Sequence, residues 1–106
     1  MKPAPFSIIY GPSVRDHLLA IDKGESSFIK GMIEDHLAHE PNVESRNRKP
    51  LKQPVEEGAD WELRCGDQNR YRVFYRFDPI VREVRVLAVG VKTRDRLLIG
   101  GKEVKL

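Results

Sequence analysis

The chain has 106 residues, 40% apolar and 33% charged, with a formal net charge of +3, so residues 1–106 read as one domain around a single core. Its one cysteine, Cys65, excludes an intrachain disulfide and a cysteine-rich metal site. No apolar run approaches the roughly 20 residues of a membrane span, and PAPFSIIYGP is too short and too proline-broken for a secretion signal, which sets the expectation of a soluble, cytoplasmic protein.

Phe6 to Tyr10 (FSIIY) is β-branched and aromatic, and Gly11-Pro12 closes it, which predicts a first strand. Pro12 suits the first turn of a helix in which Val14, Leu18 and Ile21 recur at helical spacing, with His17 beside them, until Lys23-Gly24 breaks the pattern. Phe28, Ile29, Met32, Ile33, His36 and Leu37 form one stripe of a second helix, with Ser26 or Ser27 as its N-cap and Pro41 as its stop. Asn42 to Asp60 reads as a loop containing Pro50, Pro54 and Gly58. Within it, Arg46, Arg48, Lys49 and Lys52 make a basic patch that is either a solvated surface or a contact for nucleic acid. From Trp61 the period changes to two: WELRC, YRVFYRF and EVRVLAVGV are strand-like runs separated by GDQN and DPIVR, which predicts an antiparallel meander. The tail LLIGGKEVKL is open between a further strand and irregular structure.

Side chains alternate across a strand, so Tyr71, Val73, Tyr75 and Phe77 share one face, and Arg70, Arg72, Phe74 and Arg76 the other. The same rule puts Trp61, Leu63 and Cys65 on the apolar face and Glu62 and Arg64 on the polar one, where a hairpin brings Arg64 and Arg72 onto a common surface. That surface is either the wet side of an antiparallel sheet or a groove for a phosphate chain. Arginine's planar fork suits phosphate oxygens, and Phe74 stands among the arginines as a surface for a base. Lys92, Arg94 and Arg96 extend the charge past the third run. His36 and His39, at i and i+3, lack a third ligand, so no metal is expected. No glycine-rich phosphate loop precedes a helix, so no cofactor is implied either.

In order along the chain, PLK (Pro50 to Lys52), WELRCGD (Trp61 to Asp67), RYRVFY (Arg70 to Tyr75) and VLAVGVKTRDRL (Val86 to Leu97), after a strand and a helical hairpin, resemble the RelE/ParE toxin superfamily of bacterial toxin-antitoxin modules. The resemblance spans nearly the whole chain. It implies an α+β fold of microbial-ribonuclease type in the order β-α-α-β-β-β: an N-terminal strand, a two-helix hairpin, then a three-stranded antiparallel meander. It also implies a cognate antitoxin as partner. RelE-like members cut mRNA in the ribosomal A site without a metal, whereas ParE-like members poison DNA gyrase.

Carried over residue by residue, Arg72 matches the arginine proposed to hold the scissile phosphate, Arg64 a basic position on the preceding strand, and Lys92 falls near the basic position at the end of the last strand. Glu62 stands where RelE-like enzymes carry the first lysine of the strand pair. Leu97 and Leu98 stand where several carry a tyrosine or histidine as acid. The chemistry to expect is Glu62 as base, Arg64 and Arg72 as phosphate clamp, and Lys92 or Arg94 as acid. RNA contacts would come from Arg46, Arg48, Lys49, Lys52, Arg70, Phe74, Arg76, Arg94 and Arg96. The leucines favour an alternative, a non-catalytic module that inhibits gyrase or only binds antitoxin or nucleic acid.

Overall fold

The computed structural model describes residues 4–22, 24–55 and 58–104. Strand β1 (Ser7–Tyr10) leads into helices α1 (Val14–Leu19) and α2 (Glu25–Leu37). The remainder is sheet: β2 (Arg48–Val55), β3 (Ala59–Cys65), β4 (Tyr71–Asp78), β5 (Glu83–Thr93), β6 (Arg96–Ile99) and β7 (Lys102–Val104). Strands β2 to β7 neighbour one another in chain order and pair antiparallel, while β1 lies parallel to β5. The expected α+β order is present, with additions at both ends of the meander. Arg48–Val55, which composition reads as loop, is a strand at the sheet edge, the one place where Pro50 and Pro54 can lack a ladder donor without loss. The tail folds as β6 and β7, turned by Gly100 and Gly101 at φ 61° and 81°. Helix α2 starts two or three residues earlier than its serines suggest, with Gly24 at φ 93° in the N-cap position. Lys23, read as part of the break between the helices, lies outside the described residues.

Two apolar cores form, one on each face of the sheet. Val14 and Leu18 of α1 and Ile29, Ile33 and Leu37 of α2 bury against Leu63, Cys65, Tyr71, Val73, Tyr75 and Val89, the parity read from the sequence. Phe28 falls off this stripe and is 44% exposed. The Tyr75 hydroxyl donates to the Pro41 carbonyl at 2.7 Å and pins the segment after α2 to the sheet.

The opposite face carries Ala59, Phe74, Leu87, Ala88, Leu97 and Ile99 as a smaller core, flanked by Leu51 and Val104. A bulge in β5 helps to fill it: Phe74 pairs with Ala88 and Tyr75 with Val86, so Leu87 is the extra residue and joins this side. Gly90 lets β6 approach, because a Cβ there would lie 2.7 Å from the Leu98 carbonyl oxygen. Part of the face that alternation alone assigns to water is therefore core.

One edge of β5 is shared. β1 pairs with β5 as far as Val86 and β6 pairs with it from Gly90, leaving Leu87–Val89 without a strand neighbour on that side among the described residues. His17 of α1 reaches into the gap, and its Nδ1 accepts the Val89 N–H at 3.2 Å. Among the described residues, no helix is long and apolar enough to cross a membrane.

Candidate functional site

The arginine group is built by the β3–β4 hairpin. Its turn needs Gly66, at φ 83°, since a Cβ there would sit 2.6 Å from the Tyr71 ring. A single 3-10 turn (Asp67–Asn69) follows, with Gln68 and Asn69 left-handed at φ 56° and 54°. The hairpin register places Arg64 directly across from Arg72, and Glu62 across from Phe74. Like charges facing one another across a pair of strands destabilise it. Glu62 answers this: its Oε1 accepts Arg64 Nε at 2.6 Å, and Arg72 Nη1 stands 3.4 Å from Oε2. Arg72 Nε donates to the Asn69 carbonyl at 2.9 Å, so the left-handed turn aims an acceptor at the clamp. Asn47 supports the other arm, its side chain donating to the Arg64 carbonyl at 2.9 Å.

Burial differs sharply within the group. Glu62 is 3% and Arg72 9% exposed, while the Arg64 side chain is 39% exposed. The carboxylate is the floor beneath two guanidinium groups. The Nη2 of Arg72 and both Nη atoms of Arg64 have no hydrogen-bond partner among the described residues. Free guanidinium N–H groups on two neighbouring arginines suit one tetrahedral oxyanion approaching from the solvent side.

The other residues singled out from the sequence divide into three sets. Lys92 and Lys49 share this face: Lys92 pairs with Leu97 of the second core, and Lys49 with Glu62. Lys92 is exposed at the strand end, and Lys49 reaches Glu44 at 3.6 Å. Arg46, Lys52, Arg76, Arg94 and Arg96 are exposed around the rim, with Arg96 bonded to Glu103 at 3.1 Å. Arg76 lies four residues along β4 from Arg72, about 13 Å away at strand rise.

The third set is turned away. Phe74 is fully buried in the second core, so its ring offers no face to a base. Arg48 points to the helical side, where it bonds Glu40, the Val43 carbonyl and His36, leaving its side chain 11% exposed. It fastens β2 to the end of α2 rather than meeting RNA. Arg70 precedes the strand in a helical conformation (φ −70°, ψ −27°), which breaks the alternation. Its guanidinium lies 5.1 Å from the Tyr71 ring centre, beside α1. Asn69, Asn47 and the burial of Glu62 escape a sequence reading; only the asparagine in GDQN hints at a turn that donates a carbonyl.

Burial pushes the Cys65 thiol up to about 11, so it is an inert thiol behind the hairpin. Burial first, and the Arg48 charge second, hold His36 below its usual range. Among the described residues no group of three or more His, Cys, Asp or Glu side chains is placed to hold a metal ion.

The architecture can be compared with solved structures. It matches a chain of the toxin-antitoxin complex RelBE2 from Mycobacterium tuberculosis with a TM-score of 0.59 and 24% identity, over 83% of this chain and 99% of that one. The fold is RelE-like. No family model and no curated protein matches the sequence. In this RelE-like fold the paired arginines sit at the centre of the non-helical face, where the sheet is open next to its second core.

Proposed function

We propose that the chain is the toxin of a type II toxin-antitoxin module, acting in the cytoplasm as a ribosome-dependent mRNA endoribonuclease and held inactive by an antitoxin. The observation that carries this reading is the cross-strand pair Arg64 and Arg72 held on one buried carboxylate. The RelE-like fold and its match to a chain from a toxin-antitoxin complex support it.

In the proposed reaction the 2′-oxygen attacks the adjacent phosphorus and the bond to the 5′-oxygen breaks. Charge builds on the non-bridging oxygens, and the free Nη donors of the two arginines stabilise it there. Glu62 takes the 2′-hydroxyl proton. Its oxygens are engaged by guanidinium groups in the free protein, so arrival of a phosphate, a competing anion, is what releases the carboxylate. Lys92, exposed on the same face, would return a proton to the leaving oxygen. The antitoxin would be an acidic segment that folds on binding and covers this face.

A second reading has an observation of its own. The three tyrosines lie on the helical side, the histidines lie in or just after the helices, and Leu97 is buried. A face without histidine or tyrosine fits a toxin that blocks its target, gyrase included, by binding alone. Inducible expression in bacteria with mapping of mRNA 5′ ends separates the two. The nuclease gives new ends within translated frames that vanish in Arg72→Ala along with toxicity. Toxicity without new ends, or toxicity that survives Arg72→Ala, overturns it, and loss of supercoiling by gyrase would then identify the second reading.

A further inference from the structure

The end of the β4–β5 hairpin carries its charge in two rungs. Arg76 stands directly across from Arg85, and two residues further along each strand Asp78 stands across from Glu83. By alternation with Phe77 and Val84, which pack towards the helices, all four lie on the non-helical face. Like charges directly opposite one another destabilise a strand pair, and the chain compensates only part of this. Arg85 Nη2 donates to Glu83 Oε1 at 3.0 Å, whereas Arg76 is exposed and has no hydrogen bond or ion pair among the described residues. No buried carboxylate comparable to Glu62 lies between the two guanidinium groups among the described residues.

Apolar groups accompany the charges. The rungs flank a hollow of about 370 Å³ lined by Arg76, Phe77, Asp78, Pro79, Glu83 and Arg85. Beyond it the turn presents Ile80 and Val81, 91% and 64% exposed. Their exposure is built into the turn: Asp78 Oδ1 accepts the Ile80 N–H at 2.9 Å and the Val81 N–H at 3.4 Å. Arg82 fastens the far side, its Nε donating to the Ala4 carbonyl at 2.8 Å and its guanidinium lying 4.2 Å from the Phe6 ring centre. Ile9, paired beside Arg85 on β1, is half-buried and belongs to neither core. A tip held in one shape loses little conformational freedom when a partner covers it.

The charge pattern decides between partners. A phosphate chain laid along the hairpin would gain the arginine rung and then meet the acidic one, so attraction and repulsion offset each other. A surface with the same two rungs in the opposite order has no such conflict. We infer that this hairpin end is an interface between two copies of the chain, related by a two-fold axis parallel to the rungs. That rotation reverses the strand direction, setting Arg76 over the second copy's Asp78 and Arg85 over the second copy's Glu83. Each pairing is made twice, as a two-fold contact requires. The rungs lie about 7 Å apart at strand rise, so the rotation also carries Ile80 and Val81 beyond the second copy's arginine rung, on the side of its second core, where they leave water. The inference does not rest on the RNA reading above.

Sedimentation equilibrium of the purified chain, from micromolar to near-millimolar concentration and at low and high salt, tests this. A monomer–dimer equilibrium that weakens as salt rises is expected. Arg85→Glu and Glu83→Lys, with far-UV circular dichroism unchanged, should each raise the dimer Kd at least about tenfold, because each turns two attractive contacts into repulsive ones. An equimolar mixture of the two variants should regain a dimer of about the parent's affinity, since the two reversals complement one another across the axis. Ile80→Ser should also weaken the dimer by about tenfold while leaving its salt dependence in place. A parent that stays monomeric throughout overturns the inference, as does a dimer that survives both charge reversals or that the mixture fails to restore. A monomeric parent whose affinity for single-stranded RNA falls in Arg85→Glu gives this face to nucleic acid instead.

Discussion

Replacing Glu62 by glutamine asks whether the carboxylate is what allows two arginines to face each other inside the sheet. Removing one partner of a buried ion pair costs about 3–5 kcal/mol when the charge left behind is wholly desolvated. Only Arg72 meets that condition, with its side chain 11% exposed, whereas the Arg64 side chain at 39% is largely rehydrated. Glutamine also keeps one acceptor oxygen. The expected loss is therefore about 2 kcal/mol, below the range for a bare charge. In urea unfolding at 25 °C, a slope of about 2 kcal/mol per molar turns this into a midpoint lower by about 1 M. The double variant Glu62→Leu with Arg72→Met, which removes both charges of the buried pair, should recover most of that loss. A Glu62→Gln protein within about 0.5 kcal/mol of the parent would refute the reasoning, because the carboxylate could not then be the shared floor of the clamp.

Other expectations follow from single contacts. Tyr75→Phe removes the donor to the buried Pro41 carbonyl and should cost about 1–3 kcal/mol in the same assay. Gly90→Ala forces a Cβ to 2.7 Å from backbone oxygen and 2.9 Å from Ile99; it should lower stability by about 1–3 kcal/mol and loosen β6 beside Arg72, as amide exchange of Leu97–Ile99 would report. His36 takes its proton less readily in the folded chain than in the unfolded one. The unfolded state therefore binds more protons just below pH 6.5, and stability should fall as pH drops from there towards the lower folded value. His36→Gln should flatten that fall relative to the parent between pH 7.5 and 5.

The apolar parity of the hairpin was legible because it rests on local alternation alone. Trp61, Leu63 and Cys65, and Tyr71, Val73 and Tyr75, all face the helices, and from that Arg64 and Arg72 had to share the other face, while their direct pairing is set by the register. What alternation cannot reveal is what covers the second face. Phe74 looks like a base-stacking residue until the β5 bulge and the β6–β7 hairpin enclose it, and both depend on non-local pairing. Arg70 carries the parity of Arg72 but not its direction, because the strand begins one residue later. Prolines disguised β2, since a composition reading cannot tell an edge strand from a loop. Glu62 was legible as a position and not as an environment: its burial comes from the arginines folded over it.

The central claim is that the arginine pair grips an RNA phosphate and that the grip is catalytic. The most direct measurement is cleavage of a defined mRNA in a reconstituted translation system, with programmed ribosomes present or omitted, by the parent chain and by Arg72→Ala. The account predicts cuts that require the ribosome, leave a 2′,3′-cyclic phosphate and disappear in Arg72→Ala. Intact mRNA with the parent chain, or the same cuts from Arg72→Ala, would contradict it.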